Sequence, residues 1–92
     1  MSIDTTTETA IFERIVLPGE PALGKQAARS LLALEFGLKD RQRMEELAEK
    51  ARLATLTAEE QQEIANYERV GHYLAILQSK ARRTLHASDS AD

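Results

Sequence analysis

The chain has no cysteine and no tryptophan, and only two phenylalanines, two tyrosines and two prolines. The lack of cysteine excludes disulfide scaffolds, thiolate zinc sites, iron–sulfur clusters and cysteine nucleophiles. Large rings supply much of the burial in a small core, so here leucine, isoleucine, valine and alanine must do so. No apolar run approaches the roughly eighteen residues of a membrane span. No basic stretch followed by an apolar one near Met1 signals secretion, and the expected location is cytoplasmic. A dominant charge is also missing. Twelve Lys and Arg stand against fifteen Asp and Glu, for a net charge of −3, which exerts no bulk pull toward nucleic acid. What remains is 92 residues, 42% hydrophobic and 29% charged, the balance of one small folded domain. A chain this short buries only about 60–65% of the surface its unfolded form exposes. Association with a second copy or a partner is a natural remedy for so thin a core.

Residues 1–23 read as a flexible N-terminal segment with a short apolar element at 10–17. In AIFERIVL, Ile11, Phe12, Ile15 and Val16 fit helical spacing, and the β-branched content fits a strand equally well. Pro18, Gly19 and Pro21 break this element. A helical domain is expected over 24–86, and residues 87–92 read as a disordered tail. Its first helix spans 24–36, with Pro21 before it and Gly37 where a terminating glycine belongs. The apolar arc of Ala27, Ala28, Leu31, Leu32, Leu34 and Phe36 is broad, as in a helix with two packing neighbours. Glu35 falls within that arc, either reaching water from the last turn or half-buried against an arginine.

A second helix is expected over 39–54, with a narrow stripe of Met44, Leu47, Ala48, Ala51 and Ala54. Glu46 and Lys50 have the favoured acid-first order on its charged face. Thr57-Ala58-Glu59-Glu60 is a capping box. It opens a third helix from Ala58 to about His86, about 43 Å long. The short link implies that the second and third helices form an antiparallel αα-hairpin. The expected architecture is all-α: a small three-helix domain with this hairpin and a long C-terminal helix.

The third helix carries the candidate site. Tyr67, Val70, Tyr73, Leu74, Leu77, Ala81 and Leu85 fall within about 120° of arc. The second helix is too short to cover Leu77, Ala81 and Leu85. Either the N-terminal part of this chain or another chain covers them. Residues 70–77 are apolar almost all round, because Ile76 lies off the main stripe. Gly71 either admits a close backbone or is merely tolerated, at about 1 kcal/mol relative to alanine. Acids Glu59, Glu60, Glu63 and Glu68 occupy the first half of the helix. Arg69, Lys80, Arg82 and Arg83 follow with no acid before His86. This polarity complements the helix macrodipole. Alternatively, Arg69, His72, Ile76, Lys80 and Arg83 share a back face that meets an acidic protein surface or a phosphate backbone. The candidate partner-binding residues are therefore the apolar Val70, Tyr73, Leu74, Ile76, Leu77 and Ala81, with Arg69, Lys80, Arg82 and Arg83 as a charged rim.

Catalytic and metal chemistry find no pattern. His72 and His86 lie about 21 Å apart along one helix and share no metal. No HExxH or EF-hand loop is present. Ser30 and Ser79 sit in no nucleophile elbow. GEPALGKQ lacks the spacing of a phosphate loop. Glu45, Glu46 and Glu49 read as a solvated helix face. No catalytic residue, metal or cofactor is expected. As a helix-turn-helix, the second and third helices would present Glu59, Glu60 and Glu63 where a recognition helix meets phosphates. Nucleic-acid binding is thus the weaker alternative.

Residues 50–82 carry Lys50-Ala51-Arg52, Leu56-Thr57, Glu59-Glu60-Gln61, Tyr67, Val70-Gly71, Leu74 and Gln78-Ser79-Lys80-Ala81-Arg82. This arrangement resembles a group of small bacterial all-helical proteins with an LTxEEQ…Y…VGxxL…QSKAR pattern, and the resemblance extends over about residues 26–83. Their glycine near position 54 or 55 is replaced here by Ala54-Thr55, which implies a tighter or more helical turn. Such proteins are often encoded beside HNH-nuclease-like proteins in an antitoxin-like arrangement. The resemblance implies a nuclease-like protein partner and carries over no catalytic or ligand residue. The expected function is a non-catalytic, antitoxin-like or accessory interaction module acting through the third helix. The alternatives are a helical homodimer and a small DNA-binding regulator.

Overall fold

A computed structural model describes residues 7–90. Among them the fold is all-α, with four helices: α1 (Glu8–Val16), α2 (Lys25–Leu32), α3 (Leu38–Arg52) and α4 (Ala58–Ser90). The count is four and not the expected three, because the ambiguous 10–17 element is a helix. The Thr7 hydroxyl accepts from the Ala10 amide at 3.1 Å and caps it. Residues 1–6 and 91–92, within the segments expected to be flexible, lie outside the described residues. At the other end α4 runs past the expected stop at His86 as far as Ser90.

Helix boundaries follow from where the orphan backbone groups go. The second helix ends at Leu32 and not at Phe36. The side-chain amide of Gln78 donates to the carbonyls of Leu31 (3.1 Å) and Leu34 (2.8 Å), so a residue far along the chain satisfies that end. Gly37 is extended (φ −69°, ψ 170°) and stands as the N-cap of α3, not as the terminator of α2. The third helix closes in a Schellman arrangement, in which the Thr55 amide reaches the Lys50 carbonyl (2.9 Å) and the Ala54 amide reaches that of Ala51 (3.2 Å). Ala54 adopts φ 58°, the left-handed conformation that glycine usually supplies. The Thr57 capping box is present in full. The Glu60 amide donates to the Thr57 hydroxyl, and the Thr57 amide donates to the Glu60 carboxylate, both at 3.0 Å.

The chain divides into two compact units. One comprises the residues up to Leu34 with those from His72 onward, and the other comprises Glu35–Gly71. In the first, α1 and α2 pack on the later part of α4. Phe12 meets Tyr73 edge to face, with ring centroids 5.0 Å apart. Ala28, Ile76 and Ala81 are buried. In the second, α3 packs on the early part of α4, Leu47 is buried, and Phe36 meets Tyr67 edge to face at 5.9 Å.

Candidate functional site

The ten residues picked out in the sequence are split between the two units, Arg69 and Val70 in one and the other eight in the other. Their environments differ. Ile76 (6% exposed) and Ala81 (0%) are core residues of this chain. Tyr73, Leu74 and Leu77 are half-buried. Leu77 lines a groove of about 210 Å³ with Ile15, Val16, Leu23 and Leu31. Of the two covers considered for the far end of the long helix, the chain's own N-terminal segment is therefore the one observed. Val70 is 51% exposed, and Arg69, Arg82 and Arg83 are exposed.

Lys80 does not stand on a free rim. Its ammonium donates to the carbonyls of Pro18 and Pro21, both at 2.8 Å, and holds the turn between α1 and α2. Those carbonyls have no helix or sheet to pair with, and a cation with three donors is an efficient partner for two of them.

Lys80, Arg82 and Arg83 are the charged rim expected from the sequence, but that candidate set does not include Lys25, Leu32, Leu85 or His86 beside them. Arg82, Arg83, Leu85 and His86 form an open groove of about 570 Å³ with Leu32 of α2. Arg83 also borders a second groove, of about 520 Å³, with Lys25, Lys80, Thr84, Leu17 and Leu23. Among the described residues no acid lines either groove. The signal was available: α2 contains no acid, and neither does α4 from Arg69 to Ser88. What sequence alone did not show is that these two acid-free stretches lie side by side.

The 35–71 unit holds a different constellation. Arg43 makes a two-pronged pair with Glu63 through Nε and Nη2, each 2.9 Å, and also reaches Glu60 and Glu46 at 3.4 Å. Lys50 donates to Glu60 as well, at 2.5 Å. Lys50, and then the Thr57 amide, hold the Glu60 carboxyl at about 2, well below the usual range. The Glu63 carboxyl is lowered, chiefly by its hydrogen bond to Arg43. The Tyr67 hydroxyl donates to Asp40 at 2.7 Å, which, with burial, raises the phenol above its ordinary value. These groups satisfy one another across two helices. Each carboxylate faces a cation or a donor, which is the pattern of a structural network, with no acid poised to give up a proton. Beside it lies an apolar groove of about 420 Å³ lined by Met44, Leu47, Ala48, Ala51, Ile64 and Tyr67 among others.

Among the described residues no group of three or more His, Asp or Glu side chains is placed to hold a metal ion. No described helix is long and apolar enough to cross a membrane. Comparison with protein-family models, with curated proteins and with solved structures finds no match for this chain.

Proposed function

We propose that the chain is a non-catalytic protein-interaction module of the cytoplasm, which binds a partner protein through the exposed residues of α4 that follow His72, Arg82 and Arg83 among them. The observation that carries this reading is the thinness of the core. Among the described residues, four apolar side chains are buried, two of them alanines. Against these, Ile11, Ile15, Leu34, Leu38, Leu53 and Val70 are between 44% and 68% exposed. Single exposed apolar residues are ordinary. So many of them around so few buried ones leave the folded chain short of apolar burial, which a partner supplies.

The pattern around LTAEEQ and QSKAR directs the choice of partner toward a nuclease-like protein, with this chain in the antitoxin-like or accessory role. The pairing of Asp40 with Tyr67, Arg43 with Glu63 and Lys50 with Glu60 supports an antiparallel hairpin of α3 with the start of α4, because the partner numbers fall as the α3 numbers rise. The apolar groove of the 35–71 unit favours a second reading, a helical homodimer in which that groove is covered by its copy.

The test is co-purification from the native host, followed by hydrogen exchange on the isolated chain and on the complex. One stoichiometric partner that slows exchange over residues 72–87 is the expected result. A chain recovered alone and monomeric at micromolar concentration overturns the reading. Recovery only with itself, at a concentration-dependent mass, selects the homodimer.

A further inference from the structure

The two acid-free grooves that meet at Arg83 point to the chemistry of the partner. This inference rests on the interaction-module reading and names what the module would recognise. We infer that the α2–α4 face of the first unit docks an acidic amphipathic segment of a partner protein, with carboxylates over Arg82, Arg83 and Lys25 and an apolar side chain over Leu32 and Leu85.

The argument starts from charge. The chain as a whole is acidic, with a net charge of −3. On this face, however, the cations Lys25, Arg82 and Arg83 gather around two adjoining grooves that no carboxylate among the described residues lines. In the 35–71 unit three cations have carboxylate partners: Arg43 with Glu63, Lys50 with Glu60, and Arg52 with Glu49. Arg82 and Arg83 are exposed and have no ion pair of that kind among the described residues. Like charges held together without counter-charge are a standing repulsion, which an arriving acidic group relieves.

The second part of the argument separates a protein from a nucleic acid. Leu32 and Leu85 line one groove with the arginines, and Leu17 and Leu23 line the adjoining groove. A phosphate backbone makes no use of such apolar contacts, whereas an amphipathic helix or extended peptide does. Among the described residues no aromatic side chain lines either groove to stack a base. The exposed arginines set orientation and association rate, and the leucines supply the affinity.

The probe is a synthetic peptide of about sixteen residues, long enough for some four turns, with leucine at three- and four-residue spacing and Asp and Glu on its flanks. A control peptide keeps the leucines and carries lysine in place of the acids. Each is titrated into isotope-labelled full-length protein and followed by amide resonances. The expected result is binding of the acidic peptide only. Shifts should gather at residues 23–32 and 80–87, and the dissociation constant should rise at least about tenfold in the Arg82→Glu, Arg83→Glu double variant. Circular dichroism of that variant confirms that it remains helical. Equal binding of both peptides, binding of neither, or shifts confined to residues 38–71 overturn the inference. Tighter binding of a DNA duplex at this face overturns the choice of a protein partner. A stoichiometric partner that co-purifies with the double variant as it does with the natural chain leaves the module reading intact and removes this face from it.

Discussion

The side-chain amide of Gln78 lies 2.8 Å from the carbonyl oxygen of Leu34, a residue 44 positions earlier in the chain. Through this bond and the one to Leu31, α4 terminates α2. A helix end normally finishes with its own glycine or with water. Here the donor comes from another helix, which ties the exit of α2 to the surface of α4.

Removing that donor should loosen both. Gln78→Leu keeps the volume and takes away the amide that donates to the Leu31 and Leu34 carbonyls, at a cost of about 1 kcal/mol. For a chain of this length that lowers the thermal midpoint by about 5 °C. Gln78→Glu should be at least as damaging at neutral pH, because a carboxylate accepts only and faces carbonyl oxygens. Thermal denaturation followed by circular dichroism checks both. An unchanged midpoint in both variants would show that water replaces the amide without loss.

Ala54 is the converse case, a residue that a better one can replace. At φ 58° its methyl group meets the following carbonyl, a strain of about 1 kcal/mol that glycine lacks. Ala54→Gly should therefore stabilise the chain by about 0.5–1 kcal/mol despite the greater freedom of glycine in the unfolded state. Ala54→Val should destabilise it. Urea unfolding of the three proteins gives the order directly.

Acid should weaken the 35–71 unit in a definite window. The folded value for Glu60, about 2, lies below its ordinary 4.5. A carboxyl lowered in this way stabilises the fold above its unfolded pKa, and the contribution is lost as the pH falls through the folded value. Glu63, lowered by Arg43, acts in the same direction. The urea midpoint should be flat from about pH 7 to 5.5 and fall between about pH 4.5 and 2. In Glu60→Gln the neutral-pH midpoint should drop and the acid slope should shrink. A midpoint that rises on acidification would contradict the assignment.

The phenol of Tyr67 reports on the same unit at the alkaline end. Its hydrogen bond to Asp40 and its partial burial raise it above 10. Phenolate absorbance measured in a Tyr73→Phe background, where one tyrosine titrates, should show that raised value. Asp40→Asn should bring it back toward the ordinary 10, because the acceptor loses its charge. A titration that does not move would place the shift in burial alone.

Local chemistry by itself determined much of this protein. The Thr57–Glu60 box marks the start of α4 because both of its hydrogen bonds close within four residues. The apolar spacing marks α3 and α4 as helices, and the run without acids after Arg69 marks the basic end of the chain. None of these needs a distant partner. Tertiary structure decided the rest, wherever a residue's role depended on what arrived beside it. The 10–17 element has the spacing of a helix and the composition of a strand. The observed helix carries its own cap at Thr7 and places Phe12 against Tyr73. The end of α2 moved to Leu32 because Gln78 reaches its carbonyls, a bond that no local pattern encodes. Ala54 took the place of a glycine because two backbone hydrogen bonds close the turn around it. The candidate surface shifted for the same reason. Ile76 and Ala81 became core, Lys80 became the clasp of the 18–21 turn, and Arg82 and Arg83 were left facing outward beside α2. A stripe on one helix states which residues can face a neighbour, and only the packing of the other helices decides which of them still have a face to offer.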